Sequence, residues 1–131
     1  INEKDLTIQT IKKPNKKTNS DLLFGFNMVK HVKSNAIVIA KDGILIGIGA
    51  GQMSRIDAVN IALEKGGPKN KGAIIASDAF FPFKDCVQIA NDHGIKAFIQ
   101  PGGSINDQES IDYCNENALS MAYTNIRHFK H

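Results

Sequence analysis

Gly72-Ala73-Ile74-Ile75-Ala76-Ser77-Asp78-Ala79-Phe80-Phe81-Pro82-Phe83-Lys84-Asp85 is the stretch on which the fold turns. Ala73 to Ser77 is a short apolar run of strand type, and a helix-like pattern runs from Lys84 to Asp92, ended by Gly94. A strand leading through a short loop into a helix is the repeating unit of an α/β fold. The loop between them carries three phenylalanines and a proline, where connections are ordinarily polar. Such a loop suits packing against a flat ligand or a partner. Its flanking acids, Asp78 and Asp85, are placed to supply directional hydrogen bonds to that ligand.

Downstream the pattern repeats: a strand at Ala97 to Gln100, a helix at Asn106 to Asn117 with Ser104 and Asp107 as a capping-box pair, and a last strand at Ser120 to Thr124. Upstream, Ala36 to Ala40 and Ile44 to Ile48 are two β-branched apolar runs separated by Asp42-Gly43, a primed-turn hairpin signal. Their lack of alternation predicts a sheet covered on both faces. Ser54 caps a helix from Arg55 to Lys65, with Asp57 three residues on and Gly66-Gly67-Pro68 as its stop. A first helix is expected from Asp21 to about Lys33, capped by Asn19 or Ser20, with Leu22, Leu23, Phe26 and Val29 as its apolar stripe. Residues 1–20 are polar and lysine-rich, with a turn at Pro14-Asn15, and are expected to form a connecting arm to a domain spanning 21–131. The prediction is a three-layer α/β/α unit with a mixed, mostly parallel five-stranded sheet, its antiparallel edge pair being the hairpin. The loops at Gly47–Gln52, Ser77–Phe83, Pro101–Ser104 and Thr124–Arg127 then leave the C-terminal ends of the strands, where ligands of open α/β sheets bind.

At 131 residues the chain has the size of one domain, and an apolar content of 42% suits a packed core. Its net charge of +3, with short clusters at Lys12-Lys13 and Lys16-Lys17, lacks the dense basic face of a nucleic-acid binder. Cys86 and Cys114 stand 28 residues apart with no thiol or imidazole at metal spacing, which predicts small buried side chains in a reducing, cytosolic setting. No apolar run approaches about 18 residues, so no membrane span is expected, and no signal-peptide pattern is read. A zinc hydrolase site is not expected either, because neither H-x-E nor C-x-x-C occurs. The chain opens on Ile1 rather than Met, so a fragment, a processed product or the ordered part of something larger are the readings it leaves open.

Several residues at the loop ends carry chemistry beside an ordinary structural reading. Gly47-Ile48-Gly49-Ala50-Gly51-Gln52 is not the dinucleotide fingerprint and reads first as a tight strand-to-helix turn. Arg55 opposes the macrodipole in the first turn of its helix, which is easier to understand if it helps to hold an anion such as a phosphate. Asn35 is a turn residue that also offers a donor and an acceptor to an amide-bearing ligand. Phe80 or Phe81 is expected to plug the core, while Pro82 holds the neighbouring rings in place. Asp85 is either a first-turn helix acid or a partner for the N–H donors of a heterocycle. Gly102 and Gly103 allow close backbone approach before Ser104. Arg127 is a second phosphate candidate, and His131, at the chain end, is a candidate for titration near neutrality.

Five strings occur in one order: Val32–Gly43 (VKSNAIVIAKDG), Ile46–Val59 (IGIGAGQMSRIDAV), Gly72–Asp85 (GAIIASDAFFPFKD), Ile99–Glu109 (IQPGGSINDQE) and Thr124–His131 (TNIRHFKH). Together they resemble the C-terminal part of the bifunctional purine biosynthesis enzymes, which join phosphoribosylaminoimidazolecarboxamide formyltransferase to IMP cyclohydrolase. The resemblance implies a cytidine-deaminase-like subdomain without the zinc site, the second of two in the formyltransferase region. It implies formyl transfer from the co-substrate 10-formyltetrahydrofolate to aminoimidazole carboxamide ribonucleotide, with no metal at the site, in a cytosolic homodimer. By the same resemblance Asn35, Arg55, Phe80 and Arg127 contact the nucleotide, with Phe80 against the imidazole and Arg127 at the phosphate. Ile56, Pro82, Phe83, Asp85 and Ser104 fall on the folate side. Asn35, Asp85 and His131 have supporting catalytic roles. The family's lysine-histidine base pair lies upstream, and Lys30-His31-Val32 has a different context, so no role is transferred to it. The cyclohydrolase domain is likewise absent. These 131 residues alone are therefore expected not to catalyse the reaction. A free-standing, non-catalytic nucleotide-binding module is the alternative reading.

Overall fold

The computed structural model describes residues 1–125. Its elements are β1 (Thr7–Ile8), α1 (Lys16–Val29), β2 (Ile37–Lys41), β3 (Ile44–Gly49), α2 (Arg55–Gly66), β4 (Ile74–Ser77), α3 (Asp85–Asp92), β5 (Ala97–Gln100), α4 (Asp107–Glu116) and β6 (Ser120–Tyr123). One sheet runs in the order β1-β6-β5-β4-β2-β3. The α/β class and the mixed sheet are as expected, but the sheet has six strands rather than five.

Among the described residues parallel pairing is confined to β4–β5 and β5–β6, while β1–β6, β2–β4 and β2–β3 are antiparallel. By strand direction the sheet is mostly parallel as expected, since β3, β4, β5 and β6 all run one way, and the antiparallel pairings in its middle come from how the hairpin inserts. Helix α2 carries the chain from β3 to β4, and those two strands run in the same direction. β2, tied to β3 by a tight turn, slots between them and so runs against both. The turn is of the expected kind, with Asp42 at φ 55° and Gly43 at φ 73°. It is also held from outside: the buried carboxylate of Asp21 in α1 accepts the backbone N–H groups of Asp42 at 3.1 Å and Gly43 at 2.9 Å.

The strands alternate between two cores, as the pleat requires. On one face Val38, Ile74, Ile99 and Ala122 pack under Leu22, Phe26 and Val29 of α1. On the other, Ile39, Ile75, Phe98 and Met121 meet α2, α3 and α4. Full burial of the Val, Ile, Leu, Phe and Met side chains among these stabilises by about 1.5–3 kcal/mol each.

The N-terminal stretch does more than connect. Thr7 and Ile8 pair with Tyr123 and Ala122 as an edge strand. Helix α1 begins at Lys16, not Asp21, because Asn15 rather than Asn19 or Ser20 is its cap, accepting the Thr18 N–H at 2.8 Å. It ends at Val29, short of Lys33. Ser54 caps α2 as predicted, accepting from the Asp57 N–H at 3.2 Å. At α4 the expected capping box is displaced: Ser104 Oγ accepts from the Asn106 N–H at 3.0 Å and the Asp107 carboxylate from the Gly103 N–H at 2.8 Å, with Asn106 at the cap position.

Glycines let α2 lie close on β3. A Cβ on Gly49 would stand 2.0 Å from the Ala58 carbonyl oxygen, and one on Gly47 would stand 2.3 Å from that of Ala62. The glycine-rich run is thus largely a packing device, with its turn at Gly51 (φ 63°).

Candidate functional site

The C-terminal ends of β3, β4, β5 and β6 lie at one end of the sheet, together with the start of β2, because Ile37 pairs with both Ser77 and Gly49. A recess of about 350 Å³ opens there, lined by Asn35, Met53, Arg55, Phe80 and Pro82 among others. A larger depression of about 730 Å³ lies at the opposite end, beside Lys16, Lys17 and Asp42. It is shallow, and its charges are engaged with each other through the exposed Lys17–Asp42 ion pair.

The floor of the first recess is a buried ion pair. Arg55 Nη1 lies 2.5 Å from Asp78 Oδ1, with 5% and 1% of the two side chains exposed. The same nitrogen donates to the Ala36 carbonyl at 2.8 Å, and Nη2 donates to Asn35 Oδ1 at 3.0 Å. Asp78 further accepts from Ser34 Oγ and from the Ala36 N–H at 3.3 Å. The anion that offsets Arg55 at the start of α2 is therefore an internal carboxylate. Asp78, expected to face a ligand, is fully buried and spent on these contacts. Asn35 is also more defined than its composition suggested. Its oxygen is held by Arg55, so among the described residues its amide nitrogen is the group left to meet an acceptor in the recess.

The aromatic loop divides as expected. Phe81 is 1% exposed and packs edge-on against Phe98, ring centroids 6.0 Å apart. Its N–H donates to the buried Gln100 side chain at 3.1 Å, which fixes the loop to β5. Phe80 is half-buried on the wall of the recess with Pro82. The Pro82 carbonyl accepts from Asn106 Nδ2 at 3.0 Å and from Ser104 Oγ at 3.5 Å, joining this loop to the 101–106 loop.

Phe83 is 57% exposed and Asp85 is exposed in the first turn of α3, its carboxylate accepting the Cys86 N–H at 2.8 Å. Ile56 turns partly into the core. The structure thus brings Asn35, Arg55, Phe80 and Pro82 to one recess, with Ser104 bonded to its wall and Phe83 and Asp85 following it in sequence. Arg127 and His131 lie outside the described residues.

Gly102 (φ 78°) faces the Tyr123 ring, where a Cβ would stand 2.7 Å from the ring. Burial, and then the nearby Asp107 carboxylate, raise the Tyr123 phenol above its ordinary range, so it stays protonated at neutral pH. Among the described residues no group of three or more His, Cys, Asp or Glu side chains is placed to hold a metal ion.

Sequence reasoning passed over Ser34, Met53 and Asn106. Ser34 and Asn106 are ordinary turn residues, and nothing local marks their partners. Met53 is 98% exposed, and only its position before the Ser54 cap connects it with the recess.

A model of the AICARFT/IMPCHase bienzyme family matches residues 1–65. Over 131 residues the chain is 55% identical to the bifunctional purine biosynthesis protein PurH of Oceanobacillus iheyensis, covering 100% of this chain and 26% of that protein. The protein of the same name from Acetivibrio thermocellus is 54% identical over 131 residues, with the same coverage. That of Prochlorococcus marinus strain AS9601 is 59% identical over 122 residues, 93% of this chain and 24% of that protein. The chain therefore spans about a quarter of the length of these curated relatives. Among solved structures, Acinetobacter baumannii RibD in form 1 superposes with a TM-score of 0.55 at 13% identity, covering 82% of this chain and 34% of that one. Form 2 gives a TM-score of 0.53 at 14% identity, covering 78% of this chain and 32% of that one. These two likenesses speak to the fold alone.

Proposed function

The chain belongs to the AICARFT/IMPCHase bienzyme family, and on that premise we propose that it is the C-terminal part of a formyltransferase region acting in purine biosynthesis. The reaction passes a formyl group from 10-formyltetrahydrofolate to the 5-amino group of aminoimidazole carboxamide ribonucleotide. The observation that carries this reading is the convergence of Asn35, Arg55, Phe80 and Pro82 on one recess at the ligand-binding end of the sheet.

Phe80 offers its ring to the flat imidazole. Asn35, with its oxygen held by Arg55, offers a donor to the carboxamide oxygen. Because Asp78 offsets the charge of Arg55, the nucleotide phosphate falls to Arg127. Pro82, Phe83, Asp85, Ile56 and Ser104 form the folate side.

In the transfer, the amine nitrogen attacks the formyl carbon and forms a tetrahedral oxyanion. The bond from that carbon to the folate nitrogen then breaks, and a proton reaches the leaving nitrogen. The step needs a base for the amine, a donor for the oxyanion and an acid for the leaving group. Asn35, Asp85 and His131 have supporting parts, and the principal lysine-histidine pair lies outside this chain. The chain by itself is therefore inactive. The intact protein is a cytosolic homodimer that also carries IMP cyclohydrolase activity.

Steady-state formyl transfer by the intact protein, varied in each substrate, tests the reading. Asp85→Asn is expected to raise KM for the formyl donor while leaving nucleotide affinity near its original value. The reverse pattern, or no formyl transfer by the unsubstituted intact protein, overturns it.

A further inference from the structure

We infer that Asp78 is a positioning residue for the nucleotide recess, acting through Arg55 on Asn35. The inference rests on the nucleotide-binding reading of that recess and adds a residue to it that touches no substrate.

Asp78 is buried, and a carboxylate so placed is costly unless its lone pairs are filled. Its three donors are Ser34 Oγ, the Ala36 N–H and Arg55 Nη1. Two of them flank Asn35 in sequence, and the third is the side chain that holds the Asn35 amide. The carboxylate thus grips the 34–36 segment from both sides and fixes the plane of the guanidinium. Nη2 of that guanidinium is what selects Asn35 Oδ1 over Nδ2. Without the carboxylate, Arg55 keeps only the Ala36 and Asn35 oxygens among these contacts. Nothing then sets its plane, and the Asn35 amide is free to turn its oxygen toward the ligand.

Asp78→Asn is the informative variant. It keeps the shape, but its single oxygen can replace only one of the two carboxylate oxygens, the one that serves Ser34 or the one shared by Ala36 and Arg55, and it sets an N–H₂ donor or a neutral oxygen against Arg55. In the intact protein it is expected to raise KM for aminoimidazole carboxamide ribonucleotide at least tenfold and to leave KM for the formyl donor within about twofold. Ser34→Ala, which keeps the ion pair, is expected to shift the nucleotide KM in the same direction by less.

A cycle with Arg55→Lys separates positioning from general loosening. If Asp78 acts through Arg55, the double variant binds the nucleotide no worse than the weaker single variant. Additive losses overturn the inference. A spectroscopic readout stands apart from activity: the Asn35 side-chain amide and Arg55 guanidinium proton signals are expected to move or broaden in Asp78→Asn, and unchanged signals overturn the inference. If the unsubstituted protein neither binds the nucleotide nor transfers formyl groups, the functional reading fails, and these signals still decide whether Asp78 positions Arg55 and Asn35.

Discussion

Arg55 and Asp78 are joined by a buried ion pair that closes the floor of the recess, with their side chains 5% and 1% exposed. Losing one member strands the charge of the other in a site with little access to water. Asp78→Ala is expected to destabilise the chain by about 3–5 kcal/mol. An apolar replacement of both residues together is expected to cost less than either single loss. Urea unfolding of the three variants checks this, and a loss under about 1 kcal/mol for Asp78→Ala would be the behaviour of a solvent-screened pair instead.

The approach of α2 to β3 predicts a second outcome. A methyl group on Gly49 meets backbone rather than a movable side chain, at 2.0 Å from the Ala58 oxygen. Gly49→Ala is expected to push the helix outward and to destabilise by about 1–3 kcal/mol or more. Gly43→Ala has no contact within 4 Å, so it reports only the strain of a positive φ. Equal stability of Gly49→Ala and the unsubstituted chain in urea would contradict the close packing.

The two thiols give a pH dependence. Burial, then the Asp85 carboxylate, push Cys86 up to about 12, and burial alone pushes Cys114 up to about 12, from an ordinary value of 9.0. The folded state therefore keeps protons that the unfolded state releases. This contribution to stability is complete below about pH 9 and is lost as pH rises toward about 12. Replacing both cysteines by alanine is expected to flatten that part of the stability profile. Native-state alkylation at pH 8 is expected to be slow and to become fast on unfolding. Rapid labelling of the folded chain would contradict the burial.

The sequence displayed the elements whose signals are local. Asp42-Gly43 announced a primed turn, and the apolar runs at Ile74 and Ala97 announced strands. Thr7-Ile8 carried no such signal, because two residues show no period and their partners, Tyr123 and Ala122, lie at the far end of the chain. The start of α1 was hidden because Asn15 follows Pro14 and reads as a turn, which does not stop it from capping a helix. At the site, Arg55 at the start of α2 was read as a group for a bound anion such as a phosphate, whereas the anion it meets in the fold is an internal carboxylate. Nothing in the sequence said that the anion was Asp78, 23 residues away in the next loop. The choice of Phe81 over Phe80 as the core plug is likewise made by Phe98 and Gln100 on a neighbouring strand, not by the local pattern.

The central claim is that the recess at Asn35, Arg55 and Phe80 receives the nucleotide. Calorimetric titration of the intact protein with aminoimidazole carboxamide ribonucleotide, before and after Phe80→Ala, tests it most directly. Phe80 contributes a ring face on the recess wall without plugging the core, so its truncation is expected to leave the fold intact. Loss of the stacked ring is expected to weaken binding by about 1–1.5 kcal/mol, close to tenfold in Kd. A Kd unchanged by Phe80→Ala in a protein that still binds the nucleotide would place the nucleotide elsewhere and contradict the account.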